Sequence, residues 1–145
     1  MASSSRFRFE QAGAVLYRFP AGSDDVEWLL VTARSGKRWM FPKGHIDEGL
    51  TPIEAAAMEA YEEVGVRGHI DEDRLGRYTY QKWGGSYRVT MFLMAVERLY
   101  DAWPEDHERE RCWMSTEKAL DKLKNAKLEA LLRKAVDRVE ELSAV

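Results

Sequence analysis

Apolar and polar residues alternate along the first part of the chain in a pattern that predicts β-strands. Phe7 and Phe9 alternate with arginines, which is typical of an extended segment. The run VEWLLVTAR is apolar through its middle, as expected for a strand buried at the centre of a sheet. The opening residues 1–5 (MASSS) predict a disordered end. The extended segments predicted here, separated by turn-forming residues at 20–25 and 35–37, are 12–19, 26–34 and 38–41.

The period-two pattern returns after residue 65. Residues 66–70 predict a short strand. Residues 76–83 and 86–99 then predict the two strands of a long hairpin, with Gly84 and Gly85 as its two-residue turn. The return strand has apolar residues on both faces, so we expect it to be central in the sheet.

The last third of the chain is mainly helical. In order, it predicts a charged loop at 103–111, a short strand at 112–114, a helix from Ser115 or Thr116 to Leu123, and an amphipathic helix at 126–142. The final helix would cover the sheet or a partner subunit in a homodimer. The order of elements predicts an α/β fold, a mixed sheet with helices on its faces, in a single domain of residues 1–145.

The best-defined helix lies between Thr51 and Gly65. Thr51 and Glu54 have the spacing of a capping box, and Pro52 stands at the first helical position. Gly65 is where a left-handed residue would end the helix. The apolar residues that recur at helical spacing, and that we expect to pack on the sheet, are Ile53, Ala56, Ala57, Ala60 and Val64.

Three glutamates, Glu59, Glu62 and Glu63, lie within about a quarter-turn of one another on this helix. Like charges at these spacings repel, so a helix selected only for stability would be expected to carry lysines among them. A divalent cation would remove the conflict, and carboxylate oxygens suit Mg²⁺, which also binds substrate phosphates. The alternative is an acidic helix face exposed to water.

A basic, glycine-containing loop is predicted between the strands and this helix. Cations beside a carboxylate cluster are expected where the ligand is a polyanion, since a metal can neutralise one part and side chains another. Each of these residues, taken alone, could equally be a solvated turn residue. The candidate substrate-binding residues in the loop are Arg34, Lys37, Arg38, Lys43 and His45.

Composition limits the cellular role of the chain. Its 145 residues suffice for one domain, and 45% hydrophobic with 32% charged residues is ordinary for a soluble protein. The net charge of −3 argues against a nucleic acid polymer as partner. Cys112 is the single cysteine, so an internal disulfide is excluded. Without a membrane-spanning run or the apolar core of a secretory signal, we expect a cytoplasmic protein with no membrane partner.

The stretch from Gly44 to Val66 resembles the signature of the Nudix hydrolases. That signature reads Gly, five residues, Glu, seven residues, Arg-Glu, an aliphatic residue, any residue, Glu-Glu, any residue, Gly and an aliphatic residue. The matching positions are Glu59, Glu62, Glu63 and Gly65. Leu50 replaces the first glutamate and Met58 replaces the arginine, so the signature is degenerate. The preceding segment RWMFPKGH resembles the branch that cleaves diadenosine polyphosphates and diphosphoinositol polyphosphates.

The resemblance implies an α/β/α sandwich and metal-dependent hydrolysis of a phosphoanhydride in a nucleoside polyphosphate, dinucleoside polyphosphate or diphosphoinositol polyphosphate. It implies that Glu59, Glu63 and the backbone carbonyl of Lys43 hold Mg²⁺ or Mn²⁺, while Glu62 orients or deprotonates the attacking water. The roles of the three glutamates could be exchanged, so each is a candidate metal ligand and catalytic residue. The family also takes a carboxylate from the loop before the tryptophan-bearing strand. The candidates are Glu105, Glu108 and Glu110, of which we prefer Glu108 for its distance from Trp113.

Met58 leaves a second function open. An arginine at this position could hold Glu62 by a charge-assisted hydrogen bond, whereas methionine can only pack. The alternative is an impaired or inactive Nudix-fold module that binds a nucleotide or pyrophosphate ligand without cleaving it.

Overall fold

The computed structural model describes residues 8–144, which form eight strands and three helices. The strands are β1 (Arg8–Arg18), β2 (Glu27–Thr32), β3 (Trp39–Met40), β4 (Lys43–His45), β5 (Val66–Ile70), β6 (Gly76–Lys82), β7 (Gly85–Leu99) and β8 (Arg111–Ser115). The helices are α1 (Pro52–Val64), α2 (Thr116–Leu123) and α3 (Ala126–Ser143). The predicted disordered end at 1–5 and the predicted extended residue Phe7 lie outside the described residues.

The strands form one mixed sheet. Its main path runs β3-β2-β1-β7-β5, while β4 pairs with β1, β6 with β7, and β8 with β2. Strands β1 and β7 are parallel, from the pair Arg8 and Ser86 to the pair Tyr17 and Ala95, and the other pairings are antiparallel. The long return strand β7 therefore lies inside the sheet, which confirms its predicted central position.

Helices cover both faces of the sheet. Along β2, Leu29 and Val31 are buried with Ala60 of α1, because successive strand residues point to opposite faces. Trp28 and Leu30 are buried on the other face, against residues of α2 and α3 such as Leu132. The mixed α/β arrangement predicted from the order of elements is confirmed. No helix within residues 8–144 is both long enough and apolar enough to cross a membrane.

Local sequence signals place α1 as predicted. The Thr51 hydroxyl accepts a hydrogen bond from the Glu54 amide at 3.1 Å, and the Glu54 carboxylate accepts one from the Thr51 amide at 2.9 Å. Gly65 ends the helix in the left-handed region, with φ 73°. The buried face differs from the prediction, because Ala55 and Glu63 are buried while Ile53 is only half-buried.

The hairpin turn lies one residue earlier than predicted. Lys82 pairs with Gly85, so the two turn residues are Trp83 and Gly84. Both have positive φ, 50° and 72°. A type I′ hairpin turn requires positive φ at both central positions. Gly85 is therefore the first residue of the return strand.

The predicted basic loop also contains a strand. Lys43–His45 forms β4 and pairs antiparallel with the β1 residues 11–13. Residues 43–45 show no alternating apolar pattern that would predict a strand. They are extended because they pair with β1, about 30 residues earlier in the chain. Gly13 permits the close approach, since a Cβ there would lie 2.2 Å from the Pro42 carbonyl oxygen. This pairing fixes the position of Lys43 beside α1.

Candidate active site

Glu59 and Glu63 lie one helical turn apart on α1, facing the start of β4. The Glu59 carboxylate occupies the space that a side chain at residue 44 would need, since a Cβ on Gly44 would lie 2.3 Å from Glu59 Cδ. Glu63 Oε1 accepts a hydrogen bond from the Lys43 amide at 3.3 Å. A side-chain hydrogen bond joins the two glutamates. The structure therefore brings two carboxylates together against the backbone of residues 43 and 44.

Burial controls the ionisation of this carboxylate pair. Glu63 is only 5% exposed, and burial raises its pKa to about 8, although the charge of Arg109 acts in the opposite direction. Burial also raises the pKa of Glu59, opposed by its hydrogen bond to Glu63 and increased by the charges of Glu62 and Glu105. Even with Arg109 nearby, Glu63 retains its proton at neutral pH, so ionising both carboxyl groups requires a further cation.

Glu62 lies beside the pair without joining its hydrogen bonds. Its side chain is half-buried, and its charge raises the pKa of Glu59. Its backbone carbonyl accepts a hydrogen bond from the Glu105 amide at 3.0 Å, which joins α1 to the loop after β7. Among residues 8–144, His, Cys, Asp and Glu side chains form no group of three or more that could hold a metal ion.

Arg109 belongs to the site, although it was not among the predicted site residues. Its Nη2 lies 3.6 Å from Glu63 Oε2, and both side chains are more than nine-tenths buried. Its Nε donates to Glu105 Oε1 at 2.8 Å, and its Nη1 donates to the Thr32 carbonyl at 3.0 Å. Contacts with two carboxylates and one carbonyl fix the guanidinium. The available sequence signal was the arginine within the charged run 103–111.

The three loop glutamates occupy different environments. Glu105 contacts Arg109, and its charge raises the pKa of both Glu59 and Glu63. The preferred candidate, Glu108, instead forms an ion pair with Arg34 at 3.4 Å. Of the three, Glu105 therefore has the contacts that connect it to the carboxylate pair.

The five predicted substrate-binding residues separate into three groups. Three of them, Lys37, Arg38 and Lys43, line one groove of about 680 Å³. Arg34 contacts the loop glutamates instead. His45 packs edge-on against an aromatic ring of β1, with centroids 6.2 Å apart, and is not among the groove residues.

The groove contains further lysines that were not among the predicted substrate-binding residues. Lys82 comes from the β6 end of the hairpin, and Lys122, Lys124 and Lys127 come from the junction of α2 and α3. The lysine-rich run KLKNAK at this junction was the available signal. Nothing in the local pattern indicated that it would face residues about 80 positions earlier in the chain.

Lys43 connects the groove to the carboxylate pair. Its amide donates to Glu63, while its Nζ lies 3.2 Å from the Tyr80 hydroxyl and 3.4 Å from Gln11 Oε1. Tyr80 also stacks on Tyr87, with centroids 4.9 Å apart. These rings therefore make the cross-strand packing that paired aromatics usually make.

Comparison with known proteins agrees with this architecture. The family profile described as NUDIX domain matches residues 10–136. Nudix hydrolase 17, mitochondrial, of Arabidopsis thaliana is 35% identical over 91% of this chain and 76% of its own length. An 8-oxo-(d)GTP phosphatase of Mycolicibacterium smegmatis is 31% identical over 92% of this chain and 43% of its own length. The crystal structure of a C. elegans Ap4A hydrolase binary complex superposes with a TM-score of 0.78 at 30% identity, covering 92% of this chain and 98% of that one.

Proposed function

The chain belongs to the family of NUDIX hydrolases, and from this premise we propose that it uses Mg²⁺ or Mn²⁺ to hydrolyse a phosphoanhydride in a small polyphosphate. The candidate substrates are nucleoside polyphosphates, dinucleoside polyphosphates and diphosphoinositol polyphosphates. One observation carries the proposal: the half-buried Glu59 and the buried Glu63 lie directly beside Lys43, which lines a basic groove. We therefore propose that the metal and the phosphates bind at adjacent sites.

The carboxylate pair fits a divalent cation. Burial raises the pKa of both glutamates, and the charge of Glu59 raises the pKa of Glu63 further, so a cation between them would favour the ionised form of both. The missing side chain of Gly44 leaves the room that the Glu59 carboxylate occupies. These two glutamates and the backbone carbonyl of Lys43 would hold the ion. When bound, Mg²⁺ would supply Lewis acidity and lower the pKa of a coordinated water.

The protein side chains position and polarise the substrate. Lys37, Arg38 and Lys43 bind phosphate oxygens and stabilise the negative charge that develops during cleavage. Glu62 is the candidate general base, because it lies beside the pair and its side chain makes no hydrogen bond or ion pair to any of residues 8–144. Arg109 holds the carboxylate of Glu63 in place.

A substrate panel tests this function. Purified protein is incubated with Mg²⁺, and then with Mn²⁺, in the presence of dinucleoside polyphosphates, nucleoside triphosphates, nucleotide sugars or diphosphoinositol polyphosphates. We expect release of a phosphorylated product from at least one class, abolished by EDTA. Binding without product release from every class would contradict the proposal.

Two departures from the signature favour the competing function, a module that binds a nucleotide or pyrophosphate ligand without cleaving it. Leu50 replaces an acidic residue and packs on the small apolar cluster that includes Ala55 and Phe92. Met58 cannot donate the hydrogen bonds of an arginine. The contact of Arg109 with Glu63 supports catalysis instead, since it provides a guanidinium at the carboxylates from another part of the chain.

A further inference from the structure

The groove beside the carboxylate pair has an unusual charge for a protein of net charge −3. Seven of its lining side chains are cationic, and none of the described lining residues is Asp or Glu. The seven are Lys37, Arg38, Lys43, Lys82, Lys122, Lys124 and Lys127. Because like charges repel, this arrangement is best stabilised by an anion with several charged groups.

These cations come from separate elements of the fold. Lys37 and Arg38 follow β2, whereas Lys122 and Lys124 are at the junction of α2 and α3. Lys124 has left-handed backbone, with φ 46°, at the end of α2. The ammonium of Lys127 donates to the Thr79 carbonyl, which fixes the beginning of α3 against β6. The positive charge of the groove is therefore assembled by the fold from distant parts of the chain.

The aromatic residues of the groove offer little surface for a nucleobase. The Tyr87 ring stacks on the Tyr80 ring, with the two centroids 4.9 Å apart. The Lys43 ammonium lies over the Tyr80 ring, 4.8 Å from its centroid. Phe41 is 2% exposed, and Trp39 packs partly against the main core. Stacking between a base and an open ring, the usual way to bind a nucleoside, is therefore not favoured here.

A second cavity, of about 810 Å³, has the opposite character. It shares no lining residue with the basic groove, and it includes Asp24, Asp25, Glu117 and Glu140. A polyanion would be repelled from it. Among the described cavities, the basic groove is thus the one suited to phosphate groups.

We propose that the groove binds the non-reacting part of the substrate through Lys122 and Lys124, and that this part is a compact polyanion with phosphates on several sides. This inference rests on the proposed function for the location of the reacting bond, beside Lys43. Among the candidate substrates, a compact polyanion is then favoured over a nucleotide, because a nucleoside group in the groove would leave most of these cations without an anionic partner.

Binding without catalysis tests the groove separately. The full chain is titrated calorimetrically in EDTA, so that no hydrolysis occurs, with myo-inositol hexakisphosphate, inorganic tripolyphosphate or ATP as the probe. We expect hexakisphosphate to bind about tenfold or more tightly than ATP, since it forms more charge-assisted hydrogen bonds, and its affinity to fall steeply with added KCl. Equal or tighter binding of ATP would overturn the assignment.

A pair of substitutions tests the residues. The variant Lys122→Gln/Lys124→Asn removes two groove charges, and asparagine tolerates the left-handed backbone at residue 124. The control Lys118→Gln/Arg133→Gln removes two exposed charges outside the groove. We expect the groove variant to weaken hexakisphosphate binding by about tenfold or more. The control variant should weaken it by less than about twofold.

The outcomes separate the two proposals. Equal losses in both variants, or no loss in the groove variant, would overturn the groove assignment even if the enzyme hydrolyses a polyphosphate. Selective loss in the groove variant, combined with no hydrolysis of any substrate, would support the groove and reject the proposed function.

Discussion

Arg109 Nη2 lies 3.6 Å from Glu63 Oε2, in a contact between side chains that are 8% and 7% exposed. The two residues are far apart in the sequence, and Glu105 and the Thr32 carbonyl hold the guanidinium through its Nε and Nη1. A buried ion pair of this kind is sensitive to loss of either partner, because the remaining charge stays desolvated. The contact therefore gives Arg109 a positioning role toward Glu63.

Substitution of Arg109 tests this role. Arg109→Ala leaves Glu63 buried without its cation, so we expect kcat to fall roughly 10- to 100-fold, as for other residues that support a metal site. The acidic limb of the pH–rate profile should move to higher pH, because the charge of Arg109 lowers the pKa of Glu63. Steady-state kinetics from pH 5.5 to 9 measure both.

Arg109→Lys provides the matched control. Lysine keeps the charge but loses the forked geometry, so its pH profile should lie nearer to wild type than that of Arg109→Ala. Loss of activity with an unchanged pH profile in both variants would indicate a purely structural role.

Restoring the signature arginine should raise turnover. Arg109 contacts Glu63 and not Glu62, so an arginine at residue 58 would give Glu62 a charge-assisted hydrogen bond, and we expect Met58→Arg to raise kcat about threefold or more. An unchanged kcat would show that Glu62 is already sufficiently restrained in the native protein. The comparison requires equal folding of both proteins, which thermal melting can check.

Gly44→Ala should disable the carboxylate pair without removing the fold. A Cβ at residue 44 would lie 2.3 Å from Glu59 Cδ, so the carboxylate must move. We expect metal-dependent turnover to fall roughly 10- to 100-fold. Gly76→Ala is the control, since its Cβ would meet side chains outside the site, those of Leu131 at 3.1 Å and Lys134 at 3.6 Å. Similar losses in both variants would contradict a specific effect on Glu59.

The raised pKa of Glu63 predicts a pH-dependent stability. Between its ordinary pKa of 4.5 and its folded value of about 8, the folded protein retains a proton that the unfolded chain releases. The free energy of unfolding in EDTA should therefore decrease as the pH rises through this window. Mg²⁺ should reduce the decrease, because it favours the ionised carboxylates.

Denaturant unfolding at several pH values measures this dependence. Glu63→Gln cannot titrate at this position, so its stability should depend less on pH over the same window. An identical slope in the variant and wild type would assign the effect to another group.

Features encoded by neighbouring residues could be predicted from the sequence. The capping box of Thr51 and Glu54 and the terminating Gly65 locate α1 because each acts within a few residues. The same locality placed Glu59 and Glu63 on one side of the helix. Burial of Glu63 could not be predicted in this way, because it depends on which strands and loops cover α1.

Features that depend on distant contacts were missed. Strand β4 forms only because Lys43 and its neighbours pair with β1. Arg109 reaches Glu63 through a loop that follows β7, and Lys122 meets the groove through the packing of α2. A local pattern carries no information on these pairings, so the sequence indicated residue types suited to the chemistry but not their partners.

The proposed function requires that Glu59 and Glu63 bind a divalent cation together with a polyphosphate. Calorimetric titration of Mn²⁺ into the full chain, with inorganic tripolyphosphate present, measures this binding. We expect saturable uptake by wild type that is lost in Glu59→Gln/Glu63→Gln and retained in the exposed control Glu141→Gln. Uptake that is absent from wild type, or unchanged in the double variant, would contradict it.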